Sequence, residues 1–371
     1  MAIDRREFIS TAASALALGG CTADAFNARN PESKFCWSYL VHFGVNCWRD
    51  VPLETQDPSK PEKQLRRCCA NHIRFDERLW NRLSDALAKA GCNQIVVDLA
   101  EFVEYPSHPE LAVKGSWSVD KLRSEIARLR GMGFEVIPKL NFSACHDTWL
   151  KDYHRMVSTK KYYQVCEDLI KDVAEIFDHP RFFHLGYDEE TAGYSANRNY
   201  FVMRTGEMWW HDFLFTVKCA EDCGCRPWVW SDYGWDHEDY FKRCPKSVVQ
   251  SNWYYDECHG GFDLARNDTP DRKRLKEFWQ LEEAGFDQIP CGTNWIGHIR
   301  EKEKTGANDV IGKLVKLGRE VISDDRLLGF LMAPWVTCTS ETNVGINVRC
   351  VDLLVDALDG KIAEPGPYPR G

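Results

Sequence analysis

The sequence predicts an α/β chain folded as a single (β/α)8 TIM barrel. Three observations carry this. Strand-like and helix-like segments alternate strictly, eight of each. The strand candidates are short, continuous apolar runs, which suits strands covered on both faces. Their polar residues gather at the C-terminal ends, where such barrels place an active site. A doubly wound open sheet is the alternative that the same alternation permits.

The strand candidates in order are "SYLVHFGVN", "NQIVVDLAE", "FEVIPKLNF", "RFFHLGYDE", "RPWVWSD", "SVVQSNWYY", "FDQIPCGTNW" and "LLGFLMAPWV". The first helix candidate, "DERLWNRLSDALAKAG", sets Leu79, Trp80, Leu83 and Leu87 on one stripe and ends on Gly91, a C-cap residue. "SVDKLRSEIARLRGMG" opens on Ser118 as an N-cap. "KKYYQVCEDLIKDVAEIFDHP" keeps Val165, Leu169, Val173 and Ile176 on one stripe. Further helices fit "GEMWWHDFLFTVKCAEDCG", "DHEDYFKRC", "DRKRLKEFWQLEEAG", "NDVIGKLVKLGREVIS" and "CVDLLVDALDG".

The barrel is expected over residues 36–360, followed by a Pro/Gly-rich tail at 361–371. Residues 1–20 read as an export signal, joined to the barrel by a linker at 21–35. Arg5 and Arg6 precede a short small-residue run, as in a twin-arginine signal, and "LGGC" resembles a lipoprotein cleavage box with Cys21 as the acylated residue. The expectation is a periplasmic or cell-surface lipoprotein, attached to the membrane by that anchor only. The apolar run is too short to span a bilayer.

With 371 residues, 44% of them hydrophobic, the chain can bury a large core. Its net charge of -9, with no Lys/Arg stripe, argues against a nucleic-acid partner. The 16 cysteines form no paired CxxC arrangement of the zinc type, and most read as buried thiols, with one or two disulfides permitted outside the cytoplasm. No metal or other cofactor is expected. The 14 Trp serve either core packing or the flat apolar faces of sugar rings.

The polar strand ends define the candidate site. They supply His42, Asn46, Trp48 and Arg49 from the first strand, and Asp98 and Glu101 from the second. The third adds Lys139, Asn141 and His146, and the fourth adds His184, Asp188 and Glu189. The fifth adds Trp228, Trp230 and Asp232, and the sixth Trp253, Tyr254 and Asp256. The seventh adds Trp295, and the eighth Trp335 with Glu341 beyond it. Alternation puts His184, Gly186 and Asp188 on one face, so Glu189 joins Asp188 over the pocket only if the strand stops and the chain turns. Crowded carboxylates raise one another's proton affinity, leaving one as an acid near neutral pH. Glu190 is expected to cap the following loop.

"HLGYDEE" resembles the H-x-G-G-D-E motif of glycoside hydrolase family 20, the β-N-acetylhexosaminidases. "PWVWSD", "NWYYD", "VIPKLNFSACH" and "GFLMAPW" resemble further pieces of that family, in the same order, across roughly residues 36 to 350. The resemblance implies an exo-acting, retaining, substrate-assisted hydrolase, an exception to the two-carboxylate rule. Glu189 would be the general acid and base, and Asp188 would orient the acetamido group. Tyr254 would hydrogen-bond the acetamido oxygen. Trp230, Trp253 and Trp335 would wall the sugar, with His146 and His184 supporting the site. Departures from the pattern are plain. Tyr187 replaces a glycine, and either closes the pocket or packs beneath it. Lys139 and Asn141 replace two acids. The first-strand Arg-Gly…Asp grip has no match, although Arg49 is a substitute to consider, and the last-strand W-x-E is absent. Two other readings stay open: a glycan-binding protein on a decayed barrel, and a metal-dependent enzyme drawing on His42, Asp98, His146, His184 and Asp232.

Overall fold

The structure is a computed structural model and describes residues 35–60, 62–195, 198–255, 270–293, 310–337, 351, 354–357 and 359. Cys21, Asp256, Trp295 and Glu341 lie outside the described residues, as do the expected signal segment and tail.

Eight parallel strands form the barrel. They are β1 (Cys36–His42), β2 (Gln94–Asp98), β3 (Glu135–Lys139), β4 (Phe182–Gly186), β5 (Arg226–Trp230), β6 (Val249–Ser251), β7 (Cys291–Gly292) and β8 (Gly329–Met332). Hydrogen bonding runs β6-β5-β4-β3-β2-β1-β8-β7. The remaining seam, β6 to β7, is bridged at Gln250–Gln288 and Trp253–Cys291. There the Cys291 amide donates to the Asn252 carbonyl at 2.9 Å, and the Tyr254 amide to the Cys291 carbonyl at 3.2 Å. β7 is shorter than "FDQIPCGTNW" suggests, because Pro290 has no N–H to give to a ladder.

The main outer helices are α1 (Glu77–Lys89), α2 (Val119–Gly131), α3 (Lys160–Ile176), α4 (Glu207–Asp222), α5 (Pro270–Ala284) and α6 (Val310–Val321). "DHEDYFKRC" forms only a four-residue turn, Tyr240–Arg243. The Asp76 carboxylate caps α1 through the amides of Arg78 and Leu79, and Ser118 caps α2 through that of Lys121. Gly91 takes a left-handed φ of 86° just past α1, as a C-cap requires. The link from β1 to α1 carries a feature the pattern does not announce, a small parallel pair of Arg49–Pro52 with Cys68–Cys69. Among the described residues, all twelve cysteines are free thiols, so no disulfide holds this part of the fold.

Two apolar layers result. The larger lies between strands and helices. The smaller fills the barrel and draws on every strand or its flank, with Leu40, Val96, Ile137, Phe182, Trp228, Val249, Cys291 and Leu331. Two residues further along each of β1 to β4, on the same face, come His42, Asp98, Lys139 and His184, which pair in register across neighbouring strands. All four are buried. Asp98 Oδ2 meets Lys139 Nζ at 2.7 Å and His42 Nδ1 at 3.0 Å. Burial alone would raise the Asp98 pKa, but these two partners hold it down to about 2. Burial likewise lowers His42, keeping it neutral. A buried charge pair thus forms the floor on which the pocket stands.

Asp98→Ala would leave Lys139 a buried cation without its counter-charge. We expect a loss of about 3–5 kcal/mol in urea unfolding at neutral pH.

Candidate active site

β4 stops because its backbone reverses hand. Gly186, Tyr187 and Glu189 have φ of 79°, 74° and 58°. Glycine is required at the first of these for space as well as conformation, since a β-carbon there would sit 2.0 Å from Asn141 Oδ1. Asn141, two residues past β3, holds the reversal. Its Oδ1 accepts from the amides of Ser143 (3.0 Å) and Tyr187 (3.3 Å), and its Nδ2 donates to Asp188 Oδ1 at 2.8 Å. Ser143 Oγ donates to the Asp188 carbonyl at 2.6 Å.

The reversal sends four consecutive side chains to different places. Tyr187 swings away from the pocket and packs beneath it, its hydroxyl 2.8 Å from Thr216 Oγ1 and 3.1 Å from the Asp212 carbonyl on α4. Asp188 and Glu189 both face the barrel mouth and meet at His146, whose Nε2 lies 3.3 Å from Asp188 Oδ2 and 3.2 Å from Glu189 Oε2. Glu190 turns inward. It accepts from the Ala144 amide at 3.0 Å and pairs with Arg204, which also holds Asp212 at 3.0 Å and the Phe142 carbonyl at 2.9 Å. Its role is to bind a buried ion pair, more than the loop cap expected of it.

The charges are unequal in character. Burial opposes ionisation of Asp188, yet the His146 charge, Lys139 and the Asn141 amide hold it well below the usual carboxylate range. Burial likewise opposes the His146 charge, but the two carboxylates raise it to about 9, so it is an imidazolium at neutral pH. Crowding does raise one carboxyl, and that group is Asp232. Burial first, and then the Asp188 charge, push it up to about 7.

A pocket open to solvent at the barrel mouth lies over this turn. Trp48, Trp230, Trp253, Trp335, Tyr194 and Tyr255 give its aromatic walls, and Arg66, Arg67, His146, Asp188 and Glu189 its polar lining. Of the residues singled out from the sequence, Trp48, His146, Asp188, Glu189, Trp230, Trp253 and Trp335 therefore come together. Asp232 stands behind them. His184 lies below, fully buried, with Nδ1 accepting from the Gly186 amide at 3.1 Å and its ring 4.6 Å from that of Trp230. Tyr254 is a correction: it packs into the outer layer, and Tyr255 lines the pocket instead. The period of two was legible there, because Trp253 and Tyr255 share a face. Arg49 sits in the small parallel pair and does not line the pocket; Arg66 and Arg67, from the same insertion, do. No pattern in "LRRCCAN" marks those two, since their position depends on how the insertion folds back.

The five residues weighed as metal ligands do not gather. Among the described residues, the group that does is His146, Asp188 and Glu189, with one ligand atom each within 4.8 Å of the others.

The chain shares its fold with glycoside hydrolases of family 20. Similar solved structures include a family 20 exo-β-N-acetylglucosaminidase of Vibrio harveyi, in complex with N-acetylglucosamine. It matches with TM-score 0.54 and 13% identity over 88% of this chain and 57% of that one. Dispersin B matches with TM-score 0.53 and 13% identity, over 76% of this chain and 94% of its own. A β-N-acetylhexosaminidase of Bacteroides fragilis matches with TM-score 0.56 and 13% identity, over 86% and 65%. The chain thus spans little more than half the length of the Vibrio enzyme. No protein-family model and no curated protein sequence matches. At this identity the likeness concerns the fold alone.

Two substitutions test the local geometry. Gly186→Ala should displace Asn141 and destabilise the chain by about 1–3 kcal/mol in denaturant unfolding. Arg204→Met strands two buried carboxylates and should cost about 3–5 kcal/mol in the same measurement.

Proposed function

We propose that the protein is a glycoside hydrolase that removes a terminal β-linked N-acetylhexosamine with help from the substrate's own acetamido group. One observation carries this reading: Asp188 and Glu189, consecutive in sequence, both face an aromatic pocket at the C-terminal mouth of a barrel. The family resemblance of "HLGYDEE" and the shared fold support it.

In this reading the sugar ring lies against Trp230, Trp253 and Trp335. Asp188, ionised and fixed by Asn141, accepts the acetamido N–H and balances the positive charge that develops as the acetamido oxygen attacks the anomeric carbon. Glu189 gives its proton to the leaving oxygen as the glycosidic bond breaks. It then takes a proton from water, whose oxygen opens the cyclic intermediate with retained configuration. Tyr255 takes the role first given to Tyr254: its hydroxyl, held by Cys291 until sugar binds, then turns to the acetamido oxygen. The buried indole N–H of Trp230 has no partner among the described residues and is available to a sugar hydroxyl. His146 stabilises both carboxylates and does not move a proton itself. The same reading keeps the enzyme exported, with Cys21 as its lipid-bearing residue.

The test is a panel of chromogenic glycosides, including the β-N-acetylglucosaminide and β-N-acetylgalactosaminide. Glu189→Gln should lose about 10³-fold or more in turnover, within the range of general acid–base catalysis. Sugar binding by calorimetry with no turnover of any glycoside by the wild type would replace this reading with a glycan-binding one. Tyr255→Phe should lower kcat about 10²-fold, as loss of one aligned donor does. Activity should also fall as pH rises past about 9, where His146 loses its proton and the two carboxylates their shared cation.

A further inference from the structure

By position in sequence, Asp232 belongs with the sugar-gripping strand ends. Its contacts point elsewhere. Oδ2 accepts the backbone amide of Glu189 at 2.8 Å, and Oδ1 accepts the indole N–H of Trp253 at 3.2 Å. We infer that Asp232 is a positioning residue: one carboxylate locks the backbone of Glu189 with one oxygen and the aromatic wall with the other. The inference rests on Glu189 being the acid and base of the proposed reaction.

Glu189 needs such a lock. Its φ of 58° is left-handed, a conformation that costs a residue with a side chain about 1–3 kcal/mol. Released toward an extended conformation, the peptide would rotate and carry the carboxyl away from His146. The wall needs one too. Trp253 meets the Trp235 ring edge-on at 4.5 Å and stacks on Tyr255 at 5.0 Å. The Arg274 guanidinium lies 4.4 Å from Trp253 and 4.7 Å from Trp235. The N–H of Trp235 goes to Glu277 Oε2 at 2.8 Å, and the Ser231 hydroxyl donates to the same oxygen at 3.1 Å. Trp235 and Trp253 are therefore both tied back through their N–H groups, and the tie of Trp253 is Asp232.

The lock responds to pH. Asp188 and Glu189 face Asp232 from the turn after β4, with the His146 cation beyond them. Glu277 faces it from α5, and Arg274 lies across the Trp253 ring. Burial, and then the Asp232 charge, push Glu277 far up, which favours its neutral form behind Asp232. Asp232 itself titrates near 7. A proton on it turns one of its two acceptors into a donor, and only one of the two N–H groups keeps a good partner. The lock closes as pH rises through that value.

Two measurements on the full chain test this. The first follows the 15N-indole signal of Trp253, assigned by its loss in Trp253→Phe, from about pH 5 to 9. The wild-type signal should titrate with a midpoint near 7, and Asp232→Asn should flatten it. The second is the pH dependence of kcat and KM on the best glycoside of the panel. Asp232→Asn should lower kcat about 10²-fold, the cost of a misplacement of about an ångström, with KM within about threefold. It should also abolish the acid limb near pH 7. A flat wild-type indole signal, or a variant that keeps both kcat and its acid limb, overturns the inference. So does a variant that loses only KM, which would make Asp232 a sugar ligand. A titrating indole in a protein that turns over no glycoside supports the lock and sinks the glycosidase reading.

Discussion

The site depends on the reversal of backbone hand after β4. On a continuing strand Asp188 and Glu189 would face opposite sides of the barrel wall, and no pocket could use both. Left-handed residues are unfavourable, so the turn persists only because neighbouring strands hold it. Asn141 holds it from the β3 side through two hydrogen bonds and Asp232 from the β5 side through one. The glycine that begins it has no substitute, as any β-carbon would collide with the asparagine that secures it.

Around that turn, charge is arranged in depth. The floor holds a neutral His42, an ionised Asp98 and the Lys139 cation, and that cation also favours ionised Asp188 above it. The three acids of "DEE" have three fates. Asp188 is fixed and ionised by its neighbours, Glu189 remains partly open to solvent, and Glu190 vanishes into a pair with Arg204. The departures from the family pattern fit this scheme. Asn141 accepts backbone amides as a carboxylate would, and its Nδ2 adds a donor to Asp188 that a carboxylate lacks. Lys139 supplies a cation at a position where another carboxylate would repel Asp188.

Much of this was legible in the sequence. Alternating apolar runs and amphipathic stretches gave the barrel, and caps such as Ser118 and Gly91 lie where local chemistry puts them. The Asp188–Glu189 pair and the four wall tryptophans, Trp48, Trp230, Trp253 and Trp335, lay among the strand-end residues. What was hidden depended on tertiary geometry. The sequence leaves Tyr187 either closing the pocket or packing beneath it, and only the turn decides, by throwing it under α4. Arg66 and Arg67 reach the mouth only because residues 43–76 fold back over it. The choice between Tyr254 and Tyr255 hung on register, which alternation from Trp253 would have resolved.

The free thiols carry a consequence for how the chain comes to exist. Burial pushes Cys92, Cys225 and Cys244 up to about 12, so in the folded barrel they are almost wholly protonated and slow to react. Unfolded, the same chain exposes 16 ordinary thiols with no native pairing among the described ones to guide them. Oxidant that arrives before folding can trap any of a large number of wrong cross-links, whereas oxidant that arrives afterwards finds Cys92, Cys225 and Cys244 buried and protonated. The order of those two events decides how much folded barrel a synthesised chain yields.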